Sequence, residues 1–201
     1  MSRESWNRWH QTGQVESTSP EGLSNLHDVA ALFIPGATFL DVGVGVGGMA
    51  KWAVAKGLIV DCVDVADYAK GHVEGVCRRF YLPPDLGFMP DGEYDFALSH
   101  LVAQHMTDSE LCHQVAQVVR ALKPTGVFSI QFAGSDLGIQ AREEPSVICV
   151  GHMVRSPDEA ISLCASVGAS ATLIRDPERW ASTNTGHQTY YYYLHVRKGV
   201  S

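Results

Sequence analysis

The chain has 201 residues, of which 45% are hydrophobic and 18% charged, and its formal net charge is −7. This composition is typical of one globular domain, and no apolar run reaches the length of a membrane span. The negative charge disfavours a nucleic-acid partner, since that affinity comes from clustered Lys and Arg. Five scattered cysteines without a C-x-x-C pair encode neither a disulfide framework nor a zinc ribbon. The N-terminus lacks an export signal, so the predicted location is the cytoplasm.

Residues 1–36 are predicted to form an N-terminal helical segment that ends at a Pro-Gly stop. Its two tryptophans, Trp6 and Trp9, either pack on the core or help to cover a ligand site. Residues 37–201 carry the alternating strand and helix pattern of the main domain. Both parts are expected to belong to one structural domain overall.

An apolar strand pattern then leads into a loop of alternating glycines. Gly43, Gly45 and Gly47 remove the Cβ atoms that would keep a ligand off the backbone, and a helical segment follows. The spacing Gly43-x-Gly45-x-x-Gly48 also satisfies the dinucleotide fingerprint, so a nicotinamide enzyme stays open at this point. Asp41, two positions ahead of the loop, favours another ligand, because a carboxylate there suits a cation and repels a pyrophosphate.

A second buried strand, residues 58–63, ends at Asp64, about twenty positions past the glycine loop. A carboxylate at this place is well positioned to accept hydrogen bonds from both ribose hydroxyls of an adenosine. Asp61 and Asp67 are competing candidates, but the first lies inside the strand and the second lies beyond its end. The stretch that follows is less regular and predicts only a short third strand near Phe80.

A regular pattern returns with a turn and a fourth strand that ends at Ser99. Thr107 and Glu110 form a capping box that opens a helix, and the motif LKPTG at 122–126 closes it before another strand. Together with the motif DxGxGxG at 41–47, this order of elements resembles the motifs of class I S-adenosylmethionine (SAM) methyltransferases. The resemblance covers residues 37–132 by motif and the remainder by element order.

This resemblance implies an α/β fold: a single Rossmann-like three-layer sandwich with a mostly parallel seven-stranded sheet whose last strand is antiparallel. It also implies SAM as the cofactor. SAM carries a sulfonium and an ammonium but no phosphate, which agrees with a carboxylate beside the glycine loop. The residues expected to bind it are Asp41, Gly43, Gly45, Gly47, Asp64, Ser99 and His100.

Histidines after the fourth strand are candidates for a general base, because substrates of the resembled family meet the loop between that strand and the capped helix. His105 is the first choice and His100 the second, and a purely structural role for His105 at the helix entry stays open. The residues expected at the substrate are Trp9, Gln104, His105, Gln131 and His152, with residues 6–10 as a lid. No spacing typical of a metal site joins the histidines, so no metal is predicted.

The sequence therefore predicts a SAM-dependent methyltransferase that acts on an oxygen or nitrogen atom of a small molecule. A sugar or another biosynthetic intermediate is a suitable substrate. Two alternatives stay open: a nicotinamide-dependent oxidoreductase and a non-catalytic SAM-binding protein. The predicted partner is a small-molecule substrate, without nucleic acid or membrane, and the oligomeric state is left open.

Overall fold

The structure, a computed structural model, describes residues 3–12, 32–83, 85–135, 153–174, 178–181 and 188–199. The described helices are α1 (Arg3–Gln11), α2 (Gly48–Ala55), α3 (Ala69–His72), α4 (Asp108–Ala121) and α5 (Pro157–Ser166). The strands are β1 (Thr38–Val42), β2 (Ile59–Val63), β3 (Arg79–Tyr81), β4 (Tyr94–Ser99), β5 (Leu122–Ser135), β6 (Ala169–Leu173), β7 (Glu178–Ala181) and β8 (Gln188–Lys198). Among the described residues, no helix combines the length and the apolar character that crossing a membrane requires.

The strands form one sheet in the order β3-β2-β1-β4-β5-β8-β6, and β7 also pairs with β8. Neighbours from β3 to β5 are parallel, whereas β8 runs antiparallel to β5, β6 and β7. The predicted mostly parallel seven-strand sheet is confirmed, and β7 is a short addition to it. β6 pairs with residues 194–198 of β8, and β7 pairs with residues 188–191 of the same strand.

Apolar side chains cover the sheet on both faces, as expected for parallel strands. Phe39 and Phe96 belong to the cluster under α2, and Leu40 and Phe128 belong to the cluster under α4 and α5. Successive side chains of a strand point to opposite faces, so Asp41 lies on the α2 side of β1 together with Phe39. The alternation of β1 therefore places this carboxylate near the N-terminus of α2.

The entry to α4 follows the predicted capping box. The Thr107 hydroxyl accepts a 3.3 Å hydrogen bond from the Glu110 N–H, and the Glu110 carboxylate accepts a 2.8 Å bond from the Thr107 N–H. At the other end α4 stops at Ala121, because Pro124 cannot continue a helix. The LKPTG residues already belong to β5, and Lys123 there forms a 2.7 Å ion pair with Asp95 of β4.

Candidate functional site

The carboxyl ends of β2, β1, β4 and β5 form one edge of the sheet, and open α/β sheets bind their ligands at such an edge. Asp64 follows β2, Asp41 is the penultimate residue of β1, Ser99 ends β4 and Gln131 lies in β5. Tyr193 of β8 is the register partner of Gln131. Five adjacent strands therefore bring polar side chains to this edge.

The loop after β1 has a backbone that glycine adopts without strain. The φ angle is 81° at Gly43, 55° at Gly45 and 81° at Gly47, all in the left-handed region. Space is limited as well: a Cβ on Gly43 would collide with Val102 Cγ2, and one on Gly47 would lie 2.6 Å from Val73 Cγ1. The loop leads directly into α2, so the helix N-terminus opens onto the same edge.

Asp41 is a buried carboxylate, with 5% of the residue exposed. It accepts a hydrogen bond from the Ala50 backbone N–H, but its Oδ2 atom has no hydrogen-bond partner among the described residues. Burial raises the pKa of this carboxyl to about 7, and the nearby Asp64 carboxylate adds to the rise. A buried carboxylate that accepts so few hydrogen bonds is stabilised by a cation placed beside it.

Asp64 connects the second strand with the glycine loop. Its carboxylate accepts a 2.9 Å hydrogen bond from the Gly45 N–H and a 2.8 Å bond from the Ala66 N–H. Burial raises the pKa of Asp64, while these two hydrogen bonds act in the opposite direction. Each carboxylate oxygen has more than one lone pair, so Asp64 keeps acceptor capacity for a ligand.

The two competing acidic residues have other roles. Asp61 is fully buried and accepts hydrogen bonds of 3.0 and 2.7 Å from Arg78 and one of 2.8 Å from the Tyr94 hydroxyl. Asp67 is exposed and forms a 3.6 Å ion pair with Arg3 of α1. Of the three acidic residues, Asp64 is therefore the one that lies at the ligand edge beside the glycine loop.

Ser99 and His100 stand at the end of β4. The Ser99 hydroxyl is fully buried and has no hydrogen-bond partner among the residues that the structure describes. His100 is half-buried, and burial lowers its pKa to about 4. Its Nδ1 atom lies 2.9 Å from the Tyr193 hydroxyl oxygen, which also accepts a hydrogen bond from Gln131. The end of β4 is thus connected to β5 and β8.

The turn after β4 carries the predicted Gln104 and His105. Gln104 is buried, and its Oε1 atom lacks a hydrogen-bond partner within the described ranges. The His105 ring stands edge-on to Trp6 of α1, with ring centroids 5.1 Å apart. Its backbone N–H donates a 2.9 Å hydrogen bond to the Val102 carbonyl, which agrees with a structural contribution at the helix entry.

Arg155 contacts the backbone of this turn, and it was not predicted from the sequence. Only 1% of the residue is exposed. Its guanidinium donates hydrogen bonds of 3.0 Å to the Ala103 carbonyl and 2.7 Å to the Met106 carbonyl. It also pairs with Asp108 at 2.8 Å. These contacts fix both ends of the turn that presents Gln104 and the next residue.

Helix α1 lies across the loops that follow β2 and β4. The Asn7 side-chain oxygen accepts a 3.0 Å hydrogen bond from the Tyr68 N–H, and Arg3 donates a 2.9 Å bond to the Pro83 carbonyl. Trp9 is half-buried and packs edge-on against Trp6, with ring centroids 5.4 Å apart. Trp6 therefore lies next to His105, and Trp9 packs against Trp6.

His10 of α1 is the last residue of the predicted lid, residues 6–10, and no role of its own was predicted for it. It is buried, and its ring centroid lies 5.5 Å from that of His72 at the end of α3. Burial lowers the pKa of His10, and the charge of Asp64 counteracts this effect. The N-terminal helix thus places an imidazole near the carboxylate that was predicted to bind the ribose.

The predicted residues at the strand ends share one edge of the sheet, while His152 lies outside the described residues. Tyr193 and Arg155 were missed for different reasons. Tyr193 lies opposite Gln131 in the register of β5 and β8. The sequence has four consecutive tyrosines, and nothing in it indicates which of them lies opposite Gln131. Arg155 contacts carbonyls about fifty residues away, for which no local motif exists.

Comparison with known proteins agrees with this geometry. Residues 40–130 match the protein family described as "Methyltransferase domain". A segment of 118 residues, 54% of this chain, is 30% identical to Phosphoethanolamine N-methyltransferase 2 of Caenorhabditis elegans. The chain spans 26% of the length of that relative.

Solved structures share the fold at low sequence identity. The 1,6-didemethyltoxoflavin-N1-methyltransferase of Burkholderia thailandensis, with bound 1,6-didemethyltoxoflavin and S-adenosylhomocysteine, is 18% identical, with a TM-score of 0.70. That match covers 98% of this chain and 87% of the other. The [4+2]-cyclase SpnF is 17% identical, with a TM-score of 0.66 over 92% of this chain and 84% of the other.

The sheet order, the glycine loop and the acidic strand ends agree with the class I, Rossmann-like methyltransferase fold. The match of residues 40–130 to the methyltransferase domain and the fold shared with the solved structures point to the same class of protein. The resemblance inferred from the DxGxGxG and LKPTG motifs is thereby confirmed.

Proposed function

We propose that this chain is a SAM-dependent methyltransferase that acts on an oxygen or nitrogen atom of a small molecule. The observation that carries the proposal is the buried carboxylate of Asp41, whose Oδ2 atom has no partner among the described residues. A cation compensates the burial of this charge, whereas a pyrophosphate is repelled by it. The site therefore favours SAM, which carries two positive groups, over a nicotinamide dinucleotide.

In this proposal the cofactor lies along the glycine loop, where the absent Cβ atoms leave room for it. Asp64 accepts hydrogen bonds from the ribose, and its bonds from Gly45 and Ala66 hold the carboxylate in place. Ser99 and His100 line the end of β4 beside the loop. When bound, SAM supplies a methyl group on a positively charged sulfur, which is already an activated leaving group.

We assign the acceptor side of the site to the turn after β4. His105 is the proposed general base, a role that typically accelerates a reaction about 10²–10⁴-fold. Trp9, Gln104 and Gln131 are proposed to contact the substrate, and His152 stays a prediction from the sequence. Holding the two reactants in line can supply about 7–11 kcal/mol of barrier reduction, so the chemistry relies mainly on positioning.

Helix α1 is proposed to act as the lid predicted for the N-terminal segment. Its contacts to Tyr68, Pro83 and His105 support this role, because they span the loops on both sides of the glycine loop. The division between residues 1–36 and residues 37–201 stays a prediction. A lid of this kind excludes water from the edge where the methyl group is transferred.

A small-molecule substrate is supported by the names of the relatives, a phosphoethanolamine N-methyltransferase and a toxoflavin-type N1-methyltransferase. The net charge of −7 also argues against a nucleic-acid substrate. The cytoplasmic location stays a prediction from the sequence. The acceptor atom and the oligomeric state are matters for experiment.

A second candidate is a protein that binds SAM without transferring its methyl group. The observation that favours it is the similarity to SpnF, which is named a [4+2]-cyclase although it shares this fold. The nicotinamide oxidoreductase is not favoured by the comparisons. Binding and turnover must therefore be measured separately.

Isothermal titration with SAM, S-adenosylhomocysteine and NAD tests the cofactor. We expect the first two to bind and NAD not to bind, and binding of NAD without SAM would refute the proposal. Transfer from labelled SAM to a panel of small hydroxyl and amine acceptors tests the reaction. His105→Gln should lower kcat by about 10²–10⁴-fold with SAM affinity unchanged. SAM binding with no transfer to any acceptor would shift the assignment to the second candidate.

A further inference from the structure

Cys62 and Cys77 form a pair of free thiols on the α2 side of the sheet. Cys62 is in β2 and fully buried, whereas Cys77, in the connection between α3 and β3, is half-buried. The backbone holds this connection against β2, because the Arg78 N–H donates a 2.7 Å hydrogen bond to the Val60 carbonyl. Both cysteines belong to the apolar cluster under α2, and their thiols share a hydrogen bond. The fold therefore brings together two cysteines that no sequence motif joins.

The two thiols differ in how easily they ionise. A negative charge costs less at the half-buried Cys77 than at the fully buried Cys62. Their shared hydrogen bond and burial both raise the pKa of Cys62. The same hydrogen bond lowers the pKa of Cys77 to about 7, while burial acts in the opposite direction. Because the thiolate is the nucleophilic form of cysteine, Cys77 is the attacking sulfur and Cys62 keeps its proton.

This pair of thiols is connected to the proposed cofactor site in two ways. Cys62 is the register partner of Asp41 in the parallel pairing of β1 and β2, so their side chains are neighbours on one face. The Cys77 N–H donates a 3.1 Å hydrogen bond to the carbonyl of Val73, whose side chain is fully buried. Val73 Cγ1 lies so close to Gly47 that a Cβ there would be 2.6 Å away. A movement of Cys77 is therefore transmitted to the glycine loop.

We propose that Cys62 and Cys77 are a redox-sensitive dithiol that a hydroperoxide converts into a disulfide, and that the disulfide form binds SAM more weakly. The effect on SAM rests on the proposed methyltransferase function. A half-exposed sulfur beside a second cysteine is the arrangement typical of redox sensors. A disulfide brings the sulfur atoms much closer together than a hydrogen bond does. Because Cys62 is fixed within β2, the connection with Cys77 has to move, and Val73 moves with it against the loop.

The oxidation consumes a single hydroperoxide and needs no further reactant. The Cys77 thiolate attacks a peroxide oxygen, the O–O bond breaks, and the leaving oxygen takes up a proton and departs as water or an alcohol. This step gives a sulfenic acid at Cys77. The Cys62 thiol then loses its proton and attacks the Cys77 sulfur. The S–O bond breaks, and hydroxide leaves with that proton as water. The electron pair given up by the two thiols reduces the peroxide.

Treatment of the reduced protein with an equimolar amount of hydrogen peroxide tests the pair without any cofactor. Trypsin separates the two cysteines into the peptides 57–70 and 71–78. We expect mass spectrometry to find these two peptides joined, and dithiothreitol to separate them again. A disulfide between other cysteines, or oxidation of Cys77 without the joined peptides, would overturn the proposal.

Two variants separate the attacking sulfur from the resolving one. In Cys62→Ala the sulfenic acid at Cys77 has no partner, so dimedone should label the peptide 71–78 and no joined peptides should form. Cys77→Ser should show neither the label on that peptide nor the joined peptides. Circular dichroism verifies that both variants keep the fold. Dimedone labelling of Cys62 in Cys77→Ser, at the level seen for Cys77 in Cys62→Ala, would contradict the assigned order.

Cys112→Ser is the matched control. Cys112 is half-buried like Cys77, but it lies in α4, and its sulfur is 3.8 Å from the Leu163 carbonyl oxygen of α5. This variant should form the joined peptides as the wild type does. Their loss in Cys112→Ser would assign the peroxide reaction to another part of the protein and overturn the proposal.

Isothermal titration with SAM measures the effect on the site in the reduced, the oxidised and the re-reduced protein. Oxidation should weaken SAM binding about tenfold, a usual size for coupling between two sites, and dithiothreitol should restore it. In Cys77→Ser the peroxide should leave the affinity unchanged. Equal affinities of the reduced and oxidised wild type would overturn the coupling. Failure of the reduced wild type to bind SAM would refute the proposed function, while the result on the joined peptides would stand.

Discussion

The backbone N–H of Gly45 donates a 2.9 Å hydrogen bond to the carboxylate of Asp64, so the loop after β1 and the end of β2 form one unit. The second oxygen of that carboxylate accepts a bond from Ala66. Asp64 therefore shapes the glycine loop in addition to its proposed role at the ribose. Replacing it should affect both the conformation of the loop and the binding of the ribose.

Asp64→Asn should weaken SAM binding by about 10- to 100-fold, because hydrogen bonds to a charged acceptor contribute about 1.5–3 kcal/mol. The asparagine also keeps a single acceptor oxygen, so it cannot satisfy both Gly45 and Ala66. Isothermal titration with SAM measures the change. Asp158→Asn, at an exposed position in the first turn of α5, is the control and should bind as the wild type does. An affinity of Asp64→Asn within twofold of the wild type would contradict the assignment.

Gly43→Ala should destabilise the protein more than Gly75→Ala. Both glycines have positive φ angles, 81° and 73°, so both substitutions incur the backbone cost of about 1–2 kcal/mol. Only at Gly43 does the new methyl group collide with Val102, whereas nothing lies within 4 Å of a Cβ on Gly75. Thermal unfolding of the two variants measures the difference.

The collision itself can be tested with a double variant. In Gly43→Ala/Val102→Ala the obstructing methyl groups are absent, so much of the extra loss in Tm should be recovered. The remaining loss should resemble that of Gly75→Ala. If the double variant is no more stable than Gly43→Ala, the close approach to Val102 does not explain the need for glycine.

The glycine loop and its carboxylate were predictable from sequence because their information is local. Asp41 and the three glycines lie within seven consecutive residues, and a strand, a loop and a helix follow in order. The position of Asp64 was predictable for the same reason, since it comes directly after the next strand. The competing candidate Asp61 accepts hydrogen bonds from Arg78 and Tyr94 inside the fold, and these distant contacts have no local motif.

The acceptor side of the site was much less predictable, because its contacts join distant parts of the chain. Gln131 meets Tyr193 from an adjacent antiparallel strand, 62 positions away, and only the register of β5 and β8 brings them together. Arg155 reaches Ala103 across 52 positions. Neither pairing has a local motif, so hydrophobic periodicity and turn signals carry no information about it.

Arg155→Met should lower the free energy of unfolding by roughly 2–5 kcal/mol, because the carbonyls of Ala103 and Met106 lose the buried guanidinium that donates to them. Urea unfolding measures this loss. Asp108→Asn is the control: the Asp108 side chain is 52% exposed, and asparagine keeps an acceptor oxygen for the guanidinium, so its loss of stability should be the smaller one. Arg155→Lys should retain part of the stability. Equal losses in Arg155→Met and Asp108→Asn would show that the ion pair, and not the carbonyl contacts, stabilises the turn.

Stability should depend on pH through Asp41. Its pKa is raised to about 7 in the folded protein, from an ordinary value of 3.8. Between these two values the folded state binds more protons at Asp41 than the unfolded state, so the contribution of this group to stability is greatest below about pH 4 and falls as the pH rises to about 7. The unfolding free energy of the wild type minus that of Asp41→Asn should therefore become more negative as the pH rises from about 4 to about 7. A change of this quantity in the positive direction would contradict the raised pKa.

The same carboxyl group should make SAM binding pH-dependent in the opposite sense. A cation interacts best with the ionised carboxylate, so SAM affinity should rise between about pH 5.5 and 7.5, and binding near pH 6.5 should release protons. Titration in buffers of different ionisation enthalpy counts these protons. In Asp41→Asn the affinity should be lower and this proton release should disappear. Proton uptake on binding, or the same release in Asp41→Asn, would assign the linkage to another group and remove Asp41 from the cationic end of the cofactor.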